Sequence, residues 1–137
     1  MAYINIDTAT LIKYHDSRDI VQLSNDDDTI DATEVTNINE DVVMVAENEA
    51  AYTIDNYLRN VYTFLGTGET GTGEPSITPE IESITAHLTY CNLWRRRLIT
   101  PEITAFREEQ IERLRRMVET QEEIRENRLV PGKSSKR

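Results

Sequence analysis

Residues 54–97 read IDNYLRNVYTFLGTGETGTGEPSITPEIESITAHLTYCNLWRRR, two helical patterns separated by a break. Ile54, Asp55, Tyr57 and Leu58 close one amphipathic helix. Gly66, Gly68, Gly71 and Gly73 would each cost about 1 kcal/mol inside a helix, so the stretch from Gly66 to Glu74 reads as a loop that Pro75 and Pro79 end. Thr78-Pro79-Glu80 then opens a second helix, with a capping hydroxyl, a proline at the first helical position and acids in the first turn. Ile81, Ile84, Thr85, Leu88, Cys91 and Trp94 fall on one face of it, and Arg95-Arg96-Arg97 ends it. These are packing and docking features; none of them reads as a reaction centre.

Upstream, Asp7 is placed to cap a helix of about two turns carrying Leu11, Ile12 and Tyr14, which gives way to the acidic segment Ser24-Asn25-Asp26-Asp27-Asp28. Asp31 and Glu34 have capping-box spacing. Behind them Val35, Ile38, Val42, Val45, Ala46, Ile54, Leu58 and Val61 recur at helical intervals, predicting one long amphipathic helix. Downstream, Thr100-Pro101-Glu102 repeats the start signal, and the last helix is predicted to run to about Arg128, roughly 40 Å at 1.5 Å per residue. Its apolar stripe is thin: Ile103, Phe106, Ile111, Leu114, Met117, Val118 and Ile124. So narrow a stripe favours a projecting helix that packs on another chain through Phe106, Leu114, Met117 and Val118, with Arg113, Arg115 and Arg116 pairing to acids; the competing reading folds it back on its own core. Residues 131–137 form a basic tail without apolar side chains, expected to take a fixed form only against a partner. The predicted fold class is all-α, a small bundle of about four helices. Residues 1–100 form its body, with a loop insertion at 66–74, and residues 101–137 form a helical arm and tail.

The 137 residues suit one modest core. The net charge of −10 is unevenly divided: residues 1–91 hold 3 basic and 17 acidic groups, residues 92–137 hold 12 and 8. An acidic body with a basic end suggests head-to-tail contact between copies or a basic end that meets an acidic partner. A single cysteine, Cys91, excludes an internal disulfide and fits a reducing cytoplasm. No basic segment followed by an apolar one stands at the N-terminus, and the longest apolar run, Val42 to Ala46, is too short for a bilayer, so neither an export signal nor a membrane span is expected.

Several fragments touch on chemistry without completing it. Gly66, Gly68 and Gly71 match G-x-G-x-x-G, but a helix precedes them, proline follows, and Glu69 and Glu74 would repel phosphate. Asn25, Asp27, Asp31 and Glu34 occupy positions 3, 5, 9 and 12 of a calcium loop whose first position would be Leu23 and whose turning glycine is replaced by Asp28, so an acidic capping loop is the better reading. His87 and Cys91 stand one turn apart, yet no second ligand pair exists, and a structural cysteine beside a half-buried histidine is favoured over a metal site. No nucleophile, metal or cofactor set emerges, so no enzyme is expected. Consecutive arginines point about 100° apart on a helix, so one of Arg95, Arg96 and Arg97 is expected to pair with an acid of the body. The others are candidates for phosphate or a neighbouring subunit, or are simply a solvated helix end.

In order and spacing the chain resembles the small head-to-tail connector proteins of tailed phages, the head-completion or adaptor family with Mu-like and lambdoid relatives. Five segments carry the resemblance over roughly residues 1–110: Met1-Ala2-Tyr3-Ile4; Val21-Gln22-Leu23-Ser24 before an Asp-rich turn ending Ile30-Asp31; Ile54-Asp55-Asn56-Tyr57-Leu58; Pro79 with Ile81 and Ile84; and Tyr90 to Arg97. The chain departs from the pattern in lacking glycines in the Asp-rich turn, in the Gly/Thr-rich insertion after Phe64-Leu65 and in the length of its last helix. The resemblance implies a virion subunit made in the host cytoplasm. Twelve or so copies would form a ring under the portal, extend the DNA channel without reading its sequence, and offer a surface to tail or neck proteins. Apart from the resemblance, a glycine-rich loop loses much conformational entropy when fixed, so Gly66, Gly68, Gly71 and Gly73 are expected on a docking loop ordered by a neighbour. The rival classes are another helical assembly factor and a DNA-binding regulator, the latter opposed by the net charge.

Overall fold

The computed structural model describes residues 6–27, 29–58 and 78–129, with side chains as far as residue 120. The first five residues, Asp28, the glycine-rich segment with Gly66, Gly68, Gly71 and Gly73, and the tail from residue 130 lie outside the described residues. Those described form five α-helices and a 3-10 turn, with no strand among them. The all-α class is therefore correct, with one helix more than the sequence signals predicted.

The extra helix comes from a break. Asp7 caps α1 (Thr8–Tyr14) by accepting from the Thr10 N–H and hydroxyl, both at 2.8 Å, which holds its carboxyl below the usual carboxylate range. His15 is extended, and Asp16 then caps α2 (Ser17–Ser24) by accepting from the Arg18 N–H at 3.0 Å. Ile20, Val21 and Leu23 of α2 are buried.

The long helix expected from the Asp31 and Glu34 pair starts later. Asp31 instead accepts from the Thr33 N–H (3.0 Å) and hydroxyl (2.6 Å), Asn37 donates to the Asp31 carbonyl, and Asn25 donates to the Asn37 carbonyl at 2.7 Å. Side chains of Asp, Thr and Asn thus divert the backbone of residues 31–39 into a 3-10 turn at Val35–Asn37. The α3 helix (Glu40–Leu58) begins after Asn39, whose side-chain oxygen accepts from the Val42 N–H at 3.3 Å. Its inner line is Val43, Ala46, Ala50, Ala51, Ile54 and Leu58, while Val35 and Val45, expected inside, are 47% and 55% exposed.

α4 (Pro79–Arg95) starts as predicted, with the Thr78 hydroxyl accepting from the Ile81 N–H at 3.3 Å. Its burial is wider than the single face expected: Ile81, Ile84, Thr85, Ala86, Leu88, Thr89, Cys91 and Leu93 are all buried, because α4 packs against α1, α2, α3 and α5. It is the axis of the bundle. The amide of Asn92 donates to the Ala46 carbonyl at 3.1 Å, so α3 and α4 are antiparallel.

α5 (Pro101–Leu129) is capped by the Thr100 hydroxyl, which accepts from the Ile103 N–H at 3.2 Å. It runs antiparallel to α4, with Arg113 beside Glu80 (3.8 Å) and Ser83 (3.4 Å). Here the expectation of a wholly projecting arm is corrected. Ile111 and Leu114 are buried among Ala50, Ile54, Leu58, Ile81, Ile84 and Leu88, and Met117 and Val118 pack half-buried on the same cluster. Leu114 is thus a core residue of its own chain. The narrow stripe suffices because α5 touches both α3 and α4 and presents only one line of side chains to them. The helix runs on to Leu129, past the last described residue of α3 and the first turn of α4.

Leu114→Ala should cost about 2–5 kcal/mol in urea-induced unfolding, and Arg115→Ala, which removes an exposed side chain beside Tyr57 and Glu112, should cost far less. Equal midpoints for the two variants would remove Leu114 from the core.

Candidate functional site

Two polar assemblies occupy the bundle, and the arginine cluster builds the first. α2 ends without a glycine cap; the Val21 carbonyl accepts from the Ser24 and Asn25 side chains, and the carbonyls of Gln22, Leu23 and Asn25 are satisfied from outside. Arg96 donates to the Leu23 carbonyl at 2.6 Å and to Asp26 at 3.0 Å; Arg97 donates to the carbonyls of Gln22 (2.5 Å) and Asn25 (2.9 Å). Two cations thus sit at the negative end of the α2 dipole and tie the end of α4 to it. The expected ion pair between one arginine and the body is Arg96 with Asp26. Arg95, Arg96 and Arg97 are all exposed, and two of them, Arg96 and Arg97, also bond to α2 within the chain.

The second assembly was not foreseen. His15, in the break between α1 and α2, brings its Nε2 to 3.0 Å from Nδ1 of His87 in the middle of α4. His15 stacks on Tyr90, ring centroids 3.9 Å apart and planes 4° from parallel, and Phe106 of α5 stands edge-on to both histidines. Tyr14 lies edge-on to His87 and donates its hydroxyl to Glu82 at 2.9 Å, a bond that raises the phenol's pKa. Phe106, expected on an inter-chain seam, is part of this cluster. The residues lie 72 positions apart, and nothing in their spacing announces the contact.

Burial is the main cause holding both histidines neutral. It brings His15 down to about 4, with His87 adding to the effect, and it lowers His87, which Arg113 lowers further and Glu109 raises. One imidazole N–H donating to the other ring's lone pair satisfies the bond, whereas protons on both facing nitrogens, as in two imidazolium rings, would destroy it. Cys91, one turn beyond His87, is buried and its thiol is pushed up to about 11, so it is a packing residue with little thiolate at neutral pH. Among the described residues no group of three or more His, Cys, Asp or Glu is arranged to hold a metal ion. Asp27 and Asp31 of the acidic turn accept from Thr29 and Thr33, and the Asn25 amide binds carbonyls, so these side chains serve the turn itself.

On α3, Glu47 is only 6% exposed, and its Oε2 has no hydrogen-bond partner among the described residues. Burial, then the neighbouring Asp7 and Glu40, push its carboxyl up to about 7. Of the arm arginines, Arg113 is held by Glu80, Ser83 and Gln110, while Arg115 and Arg116 share Glu112 on the exposed side of α5. No described helix is long and apolar enough to cross a membrane.

These groups set opposite pH slopes. The folded state keeps the histidines neutral, so their contribution is complete above pH 6.5 and is lost as the pH falls from 6.5 toward about 4. Urea midpoints should show this loss, and His15→Phe should flatten it; an unchanged slope would dissociate the pair from acid lability. For Glu47 the stabilisation from retaining its proton is complete below pH 4.5 and is lost as the pH rises through about 7. Glu47→Gln should therefore raise the melting temperature at pH 8 and leave it nearly unchanged at pH 4.5, in thermal scans at both pH values.

Comparison of the chain with protein-family models, with curated proteins and with solved structures finds no match.

Proposed function

We propose that the chain is a structural subunit of a tailed-phage head-to-tail connector, an adaptor that assembles as a ring under the portal and receives tail or neck proteins on its far side. The observation that carries this reading is the course of α5. Its inner part is locked into the bundle by Ile111 and Leu114, and its last eleven residues, 119–129, continue as helix beyond the point where the described parts of α3 and α4 end. A rod anchored at one end and extended at the other suits a subunit that joins neighbours.

The charge division and the resemblance in residues 1–110 support the same reading, and the polar groups described above are engaged in holding the fold. A DNA-binding regulator fits less well. Residues 1–91 carry net −14, and Arg96 and Arg97 face α2. In the proposed ring, DNA would traverse the channel without base contacts, and the subunit would act in the virion with no cofactor and no turnover.

A chain ending at Thr120 should keep the helical signal and melting temperature of the parent, because the described core closes at Val118, yet should no longer co-sediment with portal rings. A chain ending at Thr100 should fail to fold, since Ile111 and Leu114 are then missing. Undiminished portal binding by the chain ending at Thr120 would defeat the proposal.

A further inference from the structure

The outer face of α3 carries a groove that none of the described residues fills. Two depressions of about 400 and 630 Å³ meet at Val45 and Glu49: the first extends to Asp41 and to Asn92 of α4, the second to Tyr52. Val45 and Tyr52 are 55% and 52% exposed, and neighbouring Met44 is 51% exposed. Apolar side chains thus floor the groove, and Asp41 and Glu49 rim it. Arg96, also on its wall, has its guanidinium turned to Leu23 and Asp26.

The chain holds one segment with the matching pattern. Leu129-Val130-Pro131 is followed by Lys133, Lys136 and Arg137 with no acid among them, an apolar start and a cationic end. We infer that the α3 groove receives the C-terminal segment Leu129–Arg137 of a second copy of this chain. The apolar start would lie on Val45 and Tyr52, and the lysines would lie against Asp41 and Glu49.

Geometry requires the second copy. Both α3 and α5 run antiparallel to α4, hence parallel to each other, and Tyr57 and Leu58 share a cluster with Met117 and Val118. From that level α5 travels eleven residues further away from the groove, about 16 Å, while Glu49 lies nine residues back along α3, about 13 Å in the other direction. Leu129 is thus about 30 Å along the bundle from Glu49 and about 40 Å from Asp41. The eight residues after it span at most about 29 Å when fully extended, so a chain cannot lay its own segment in its own groove. A contact that joins one copy's end to another's side is heterologous and propagates or closes into a ring.

The inference rests on the self-assembling part of the proposed function, and its test is separable from portal binding. Sedimentation equilibrium of the full chain should show association that weakens with added salt. Val45→Asp should weaken it by roughly tenfold or more, about 1.4 kcal/mol, and a chain ending at Arg128 should be monomeric. Mixing the Val45→Asp chain with the chain ending at Arg128 should restore a one-to-one complex, because one supplies the segment and the other the groove. Glu49→Lys mixed with a Lys133→Glu, Lys136→Glu chain provides an independent pairing, should Val45→Asp reduce the helical signal. A mixture that stays monomeric, or variants that associate like the parent, would overturn the inference. Self-association through the groove without portal binding would overturn the connector reading and leave this interface standing.

Discussion

Burying α4 against four other helices takes its polar atoms out of water, and much of the bundle follows from the demand that they find partners inside the chain; most of them do, the Trp94 indole N–H being left without one among the described residues. Thr85 and Thr89 return their hydroxyls to the carbonyls of Ile81 and Thr85, at 2.7 and 2.8 Å, so that small side chains can stand in the core without an unpaired donor. The Asn92 amide donates to the Ala46 carbonyl, and His87 meets His15. The alanines of α3 let its backbone come close, and the helix pair becomes a wall on which α5 needs only a line of contacts.

The same demand explains where the charge goes. A helix end with bare carbonyls at the margin of the core would be costly, and α2 has one; Arg96 and Arg97 neutralise it from the end of α4. Arginine suits this better than lysine because one guanidinium can reach two acceptors at once, as Arg96 does with Leu23 and Asp26. A cluster that looks in sequence like a patch awaiting phosphate therefore serves as a clasp between two helices. Exposed pairs such as Arg116 with Glu112 contribute little beside it.

Local signals were legible and distant ones were not. The caps at Asp7, Thr78 and Thr100 lie where the sequence puts them, since a cap is decided within four residues. α5 is helical as far as the described residues go, to Leu129, and so through the expected Arg128. The start of α3 was misplaced because Asp31 closes on Thr33 instead of opening a helix, and two competing local bonds look alike in a string of letters. Asp16 could have revealed α2, as it is followed by Asp19 in the first turn; the run into the Asp-rich turn hid it. The histidine pair had no sequence signal, and the stripe of α5 was misjudged because its sufficiency depends on a cleft that only the packed α3 and α4 create.

The antiparallel seating of α5 on α4 has a mechanical side. A pull along the axis at Leu129 does not peel contacts away one after another. It loads Leu114, Ile111, the Arg113 pairing with Glu80 and the rings around Phe106 together, in shear, and passes the load to the helix that all the others touch. A sideways push at the same point acts differently, since a straight rod of eleven residues is a lever about 16 Å long with its fulcrum at Val118. The subunit is therefore stiff against tension and compliant against bending, and half-buried Met117, a flexible side chain, packs next to that fulcrum.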